Sequence, residues 1–133
     1  MKKQPKKYFL QNWGTYSNDT FVCVGMNKKE ITEALKKLSA SKDIIDRWEN
    51  KGCDFHEIGS NASVWEEDGL TLLWFKKWTK TWNDLNVLVH EIYHLIYLVL
   101  HKRKGMADEQ EGCAYQFEYL FNEMRKKLDK LLK

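Results

Sequence analysis

The sequence has few of the residues that cross-link or interrupt a chain. It contains three cysteines, one proline and seven glycines among 133 residues. This composition excludes collagen-like and low-complexity chains. The cysteines (Cys23, Cys53 and Cys113) are odd in number and none is spaced as CxxC. We therefore expect reduced thiols inside a cell rather than a disulfide framework.

Long apolar runs are also absent. The most apolar window, residues 85–100, is too short to cross a bilayer and includes two histidines and a glutamate. The basic start, Met1–Lys7, is followed by no apolar stretch of the signal-peptide type. We therefore expect a flexible basic tail there, no membrane partner and a cytoplasmic location. The net charge of +3, from 22 basic and 19 acidic residues, does not by itself demand a nucleic-acid partner.

The length and the hydrophobic content of the chain predict a single domain spanning residues 1–133. Hydrophobic residues make up 43% of the chain and aromatic residues 14%, enough to bury a core without cross-links. Aromatic and β-branched segments at 8–16 and 20–25 predict a first β-hairpin. Ala62–Glu66 and Leu70–Trp74, on either side of Asp68-Gly69, predict a second one. The oligomeric state is not fixed by these patterns.

Two helical pieces, or one bent helix, are predicted between the hairpins. Asn27 is a capping residue, and Glu30 three positions later completes a capping-box pattern. Ser41 is suited to cap a second piece, which ends at Lys51-Gly52.

The C-terminal half is predicted to be helical. A long helix, apolar nearly all round and therefore expected to be buried, runs from a cap at Asn83 or Asp84 to about Lys104. A second helix, from Asp108 to about Leu132, is amphipathic. The order ββ-α(α)-ββ-α-α is that of an α+β domain. The apolar stripe of the last helix comprises Ala114, Phe117, Phe121, Met124, Leu128 and Leu131.

The long helix contains the motif that indicates chemistry, His90-Glu91-Ile92-Tyr93-His94. Because an α-helix turns once in 3.6 residues, His90 and His94 project from the same face and can bind one zinc ion. Glu91 projects beside them, where it can take a proton from a zinc-bound water without binding the metal. The alternative is a pair of core histidines with hydrogen-bonded partners, which we consider the weaker explanation.

The third zinc ligand has several candidates. A metzincin pattern fails, because Tyr97 and Leu100 stand where that class has glycine and histidine. A carboxylate from the next helix is the other common solution. Glu111 lies on the predicted core-facing stripe and is preferred, whereas Glu118 and Asp108 remain open.

At this point the chain resembles the small gluzincin-type zinc metallopeptidases. The resemblance rests on the histidine-glutamate motif and on the stretch Glu111-Gly112-Cys113-Ala114-Tyr115, which begins seventeen residues after His94. It is closest to the short metallopeptidases encoded by tailed phages and prophages, and it covers about residues 85–121. A phage origin implies that the protein is located in the cytoplasm of a bacterial host.

The resemblance implies a minimal zincin-like fold and a peptide or protein substrate. It implies one zinc ion per chain, held by His90, His94 and Glu111, with Glu91 as the general base. It also implies that the strand before the motif helix lies at the edge of the cleft and pairs with an extended substrate by strand addition. That strand would be Leu70, Thr71, Leu72, Leu73 and Trp74.

A stabiliser of the transition state is expected opposite Glu91. The candidates are His101 and Tyr115, and less strongly Tyr93 and Tyr97. A tyrosine in a helix is more often a core residue with a bonded hydroxyl.

Two alternatives belong to other functional classes. The first is a catalytically silent protein that keeps the zinc scaffold for interaction, such as a phage inhibitor of a host factor. The second is a nucleic-acid-binding accessory protein that uses Trp74–Trp82, where aromatic residues alternate with lysines. For that segment we prefer a structural role, in which the tryptophans anchor the core and the lysines face water.

Overall fold

A computed structural model describes residues 7–51, 61–67 and 70–131 of the chain. The predicted basic tail, apart from Lys7, and the predicted turn at Asp68-Gly69 lie outside the described residues. The elements are, in chain order, β1 (Tyr8–Asn12), β2 (Asp19–Val24), α1 (Lys28–Lys37), α2 (Lys42–Lys51), β3 (Ala62–Glu67), β4 (Leu70–Phe75), α3 (Trp82–Ile96), a π-helical segment (Tyr97–Arg103) and α4 (Gln110–Leu131).

The four strands form one mixed sheet in the order β1-β2-β4-β3. Both predicted hairpins are confirmed, because β1 pairs with β2 and β3 pairs with β4, each antiparallel. The hairpins are joined by parallel pairing of β2 with β4. The sheet together with the helices gives the predicted α+β fold.

The prediction that Leu70–Trp74 pairs with a substrate by strand addition is wrong. β4 is hydrogen-bonded to β2 on one side and to β3 on the other. At its start the Thr71 hydroxyl lies 2.8 Å from that of Thr20 and accepts a hydrogen bond from Asn18. Because β4 has a paired strand on each side, its backbone is not available to a substrate, and the edge positions belong to β1 and β3.

Helices cover both faces of the sheet. On one face Phe21, Cys23, Leu72 and Trp74 pack with α1 and with Trp48 of α2. On the other face alternate residues of β2 and β4 pack with α3, the π-helical segment and α4. This alternation is the period of two that β-strands impose, and it explains why both central strands are apolar almost throughout.

The helix starts are set by side-chain caps. The capping box of Asn27 and Glu30 at α1 is present as predicted. The predicted cap of α3 at Asn83 or Asp84 is wrong, because the Thr81 hydroxyl accepts the amide hydrogen of Asp84 and is the cap. The Asp84 carboxylate instead accepts hydrogen bonds from the amide and the hydroxyl of Thr79.

The hydrogen-bonded Asp84 carboxylate gives a pH-dependent contribution to stability. Burial alone raises the pKa of Asp84, but the hydrogen bonds from Thr79 and Thr81 outweigh burial and hold the pKa below its usual value. The stabilisation is therefore present above the unfolded-state pKa and is lost as the pH falls through the folded-state pKa. We expect Asp84→Asn to lower the free energy of unfolding by about 1 kcal/mol at pH 7.

Urea unfolding at pH 7 and at pH 3 measures this effect. We expect the difference in free energy of unfolding between the parent and Asp84→Asn to be smaller at pH 3, because this pH is below the usual pKa of an aspartate and the stabilisation is lost as the pH falls towards the lowered folded-state pKa. Asp43→Asn, in the first turn of α2, is the matched control. An equal difference in the free energy of unfolding at both pH values would contradict the assignment of this pH dependence to Asp84.

The long helix differs from the prediction in two ways. It was expected to be buried nearly all round, yet Val89, Tyr93 and Tyr97 are exposed. The reason is that the sheet and α4 cover only one side of α3, on which leucine and isoleucine side chains such as Leu88 and Ile92 are buried. Its last part, from 97 to 103, is π-helical rather than α-helical.

The apolar stripe of α4 agrees with the predicted one in part. Met124 and Leu128 are buried, and Phe117, Phe121 and Leu131 pack against the core. Ala114 is exposed, and Gln116 is buried. This polar residue belongs to the buried stripe because its side-chain amide donates a hydrogen bond to the Trp13 carbonyl. The buried residues of the helix are Cys113, Gln116, Leu120, Met124 and Leu128.

Candidate metal centre

The two histidines of the motif lie together on the exposed side of α3. Their Nε2 atoms are 3.1 Å apart, so the two imidazoles share a hydrogen bond, and the rings meet nearly edge to face. Two nitrogen ligands at about 2.0–2.1 Å from a tetrahedral zinc ion are separated by about 3.4 Å. The Nε2 atoms of His90 and His94 are therefore separated by close to the distance that two nitrogen ligands of one zinc ion would have.

Glu91 lies on the flank of α3 that faces the protein. It is only 7% exposed, and it is adjacent to His90 in sequence. Burial raises the pKa of its carboxyl above the usual value, although the charges of His94 and His90 lower it in part. A carboxyl in this position is suited to hold and release a proton next to the imidazole pair.

Glu111 is not brought to the histidines. It is exposed, and it precedes the buried Cys113 by two residues, which places it about 200° round α4 from that core position. α3 and α4 run antiparallel, since Trp78 before α3 donates to Asp129 near the end of α4. The first turn of α4 is thus level with the π-helical segment, and the role of Glu111 as the third ligand stays a prediction.

The other carboxylates are not seen to approach the histidines either. Asp108 lies in the turn before α4 and is exposed. Glu118 is also exposed. Within residues 7–51, 61–67 and 70–131, no three His, Cys, Asp or Glu side chains form a group that could hold a metal ion. The imidazole pair fits zinc, and in this part of the chain a third protein ligand is not in place.

The proposed transition-state stabilisers lie elsewhere. His101 is in the π-helical segment, where its ring contacts Tyr97 at 5.8 Å between centroids. Tyr115 lines a groove formed with the β1–β2 turn, and no residue of α3 is among those described as lining it. Tyr93 is the tyrosine next to the pair, with its ring centroid 6.5 Å from that of His94.

The strand beside the motif helix is β3. Ala62 and Val64 pack against the core that α3 and α4 form, and Glu66 on the same strand pairs with Arg103 at the end of the π-helical segment. This ion pair fixes the end of the motif helix against the sheet edge. It was not predicted, because 37 residues separate the partners and no local pattern relates them.

The Trp74–Trp82 segment has the structural role preferred above. Trp74 is buried and donates its indole hydrogen to the Met26 carbonyl, and Trp78 is buried and donates to Asp129. Of the three tryptophans only Trp82, at 82% exposure, presents its ring for stacking on a base. The lysines of the segment, Lys76, Lys77 and Lys80, are exposed.

Comparisons with known proteins add no relative. The chain matches no protein-family model, no curated protein and no solved structure. None of the described helices is long and apolar enough to span a bilayer. What bears on function is therefore the geometry of the site and the motif residues themselves.

Proposed function

We propose that the protein is a zinc-dependent hydrolase, most simply a peptidase of minimal zincin-like type. The observation that carries the proposal is the Nε2 pair of His90 and His94 at 3.1 Å with the buried Glu91 beside it. Both imidazoles are exposed, so a metal ion can reach them from solvent, and the nearly buried Glu91 carboxyl follows His90 directly in sequence. Glu111 is the proposed third ligand.

Each residue has a separate task in this proposal. Zinc, when bound, supplies the positive charge that polarises a water molecule and a substrate carbonyl. His90 and His94 would hold the metal through Nε2. The Glu91 carboxylate accepts a proton from the attacking water and passes it to the leaving amine. Because β4 is internal, an extended substrate would add to the sheet at β3, the edge that α3 contacts.

Zinc-dependent hydrolysis of an unstructured protein such as denatured casein tests the proposal. We expect cleavage by the purified protein, loss of cleavage after treatment with a chelator, and recovery on addition of one equivalent of zinc. Cleavage that survives complete removal of zinc would contradict it. The control is the His94→Ala variant, which should show no recovery when zinc is added.

The second candidate is an interaction protein that binds zinc without catalysis. It is favoured by the absence of a third ligand in the described part of the chain and by the exposed Tyr93, Tyr97 and Trp82 along the motif helix. This candidate predicts that the protein binds zinc and that Glu91→Gln leaves its effect on a partner protein unchanged. The hydrolase proposal predicts that Glu91→Gln abolishes hydrolysis and every effect that depends on hydrolysis.

A further inference from the structure

The exposed side of α3 carries large apolar side chains that the core does not use. Of the eight large hydrophobic side chains that are exposed in the described part of the chain, four lie on α3 or at its C-terminal end. They are separated by steps of seven, four and four residues, which place them on one side of a helix. This side is termed the aromatic face and consists of Trp82, Val89, Tyr93 and Tyr97.

The tyrosine rings of the aromatic face are supported by neighbouring histidines and are still open to solvent. The Tyr93 ring meets that of His94 edge to face, and the Tyr97 ring meets that of His101 in the same way. Tyr93 is nevertheless 61% exposed and Tyr97 is 50% exposed. A ring that is already positioned loses little conformational freedom when a flat partner stacks on it.

The charges around the aromatic face are of one sign. Residues 70–107, which lie within the described part of the chain, contain six Lys and Arg but two Asp and Glu, whereas the whole chain has 22 and 19. Both acidic residues, Asp84 and Glu91, are buried. Arg103 is paired with Glu66. The other basic residues are exposed lysines, of which Lys76, Lys77 and Lys80 precede α3 and Lys102 and Lys104 follow it.

The two groups of lysines limit the partners that fit the aromatic face. A second copy of the chain would bring lysines close to lysines in either orientation, which is unfavourable. A purely apolar partner would contact the rings but not the lysines. Single-stranded nucleic acid fits both features, because its bases are flat apolar groups that stack on aromatic rings and its phosphates form a row of negative charges.

We propose that the aromatic face binds single-stranded nucleic acid. Bases stack on Trp82, Tyr93 and Tyr97, and phosphates contact the lysines at the two ends. The helical run from Trp82 to Lys104 is about 30 Å long, which accommodates several nucleotides. A membrane surface fits less well, because interfacial helices insert several aliphatic side chains and Val89 is the aliphatic one among the four. The proposal is independent of the proposed hydrolase function, since it requires neither zinc nor hydrolysis.

Fluorescence anisotropy of a labelled oligothymidylate, measured in the presence of a chelator, tests the proposal. We expect the affinity to fall by about 20- to 100-fold when the salt concentration is raised from about 50 to 200 mM, the range for contacts with three to five phosphates of a single strand. We also expect the single strand to bind at least about five-fold more tightly than a duplex of equal length, because the bases of a duplex are already stacked on one another.

Removal of an exposed ring tests the stacking. Tyr93→Ala should weaken binding by about ten-fold, the effect of losing one stacked base. Tyr115→Ala is the matched control, because Tyr115 is an exposed tyrosine that lies on α4 beside the β1–β2 turn. It should leave the affinity unchanged. Both side chains are exposed, so we expect both variants to fold.

Neutralising lysines at one end of the aromatic face tests the phosphate contacts. Lys102→Gln combined with Lys104→Gln should reduce the slope of log K against log salt by about 1.4, since each phosphate contact contributes about 0.7. Lys36→Gln combined with Lys37→Gln is the matched control. These exposed lysines lie on α1 at the opposite face of the sheet, so the net charge changes equally and the slope should stay the same.

Several outcomes would overturn the proposal. Absence of binding at low salt, an unchanged affinity in Tyr93→Ala, or equal affinity for single strand and duplex would exclude stacking of bases on the aromatic face. Equal effects of the two lysine pairs would show that net charge alone attracts the oligonucleotide. Polyglutamate or anionic lipid vesicles that compete as well as unlabelled oligothymidylate would identify an acidic protein or a membrane as the partner instead.

Discussion

Replacing Glu91 with glutamine is expected to lower the rate of peptide hydrolysis by about 10²–10⁴-fold, the usual contribution of a general base. The amide has the shape of the carboxylate but does not accept the proton of the attacking water. The zinc ligands are unchanged, so we expect the variant to bind zinc as the parent does. Its fold should also persist, because the substitution removes a charge from a side chain that is nearly buried.

Rate and zinc content must be measured on the same preparation. Glu33→Gln is a matched control, since Glu33 is exposed on α1 at the opposite face of the sheet, and it should change the rate by less than about two-fold. A Glu91→Gln variant that hydrolyses peptides at the parental rate would exclude Glu91 as the base.

Removing either motif histidine is expected to abolish stabilisation of the protein by zinc. A ligand present at about 100 times its dissociation constant stabilises the folded state by about 2.7 kcal/mol. For a chain of this size that corresponds to an increase in Tm of about 10 °C. We expect this increase for the parent and for Glu91→Gln, and none for His90→Ala or His94→Ala.

Thermal unfolding with and without zinc provides the measurement. His101→Ala is the matched control, because His101 follows on the same helical run but contacts Tyr97 instead of the pair. It should retain the zinc-dependent increase in Tm. Equal stabilisation of the parent and His94→Ala would place the zinc site away from the motif.

Local features of the fold were predictable from the sequence. Asn27 and Glu30 cap α1 through contacts within four residues, and each hairpin pairs strands that are neighbours in sequence. The order of the sheet was not predictable in this way, since it depends on the parallel pairing of β2 with β4, which are distant in sequence. That pairing makes β4 internal and leaves β3 at the edge.

The same distinction applies to the candidate site. The spacing of His90 and His94 on one helix was sufficient to predict that their rings meet. A third ligand depends on how α4 packs against α3. The predicted stripe of α4 was right for its apolar residues from Phe117 onward, but it did not include Gln116, which is buried through its hydrogen bond to Trp13, a contact that apolar periodicity does not reveal. Glu111 consequently lies on the exposed side.

The measurement that tests the central claim most directly is the zinc content of the purified protein, determined by elemental analysis after dialysis against zinc and then against buffer. We predict one zinc per chain in the parent, none in His94→Ala, and loss in Glu111→Ala if that carboxylate is the third ligand. Retention of zinc in Glu111→Ala, with loss in Glu118→Ala, would transfer that role to Glu118. A parent protein that holds no zinc after this treatment would contradict the metal centre and the hydrolase proposal with it.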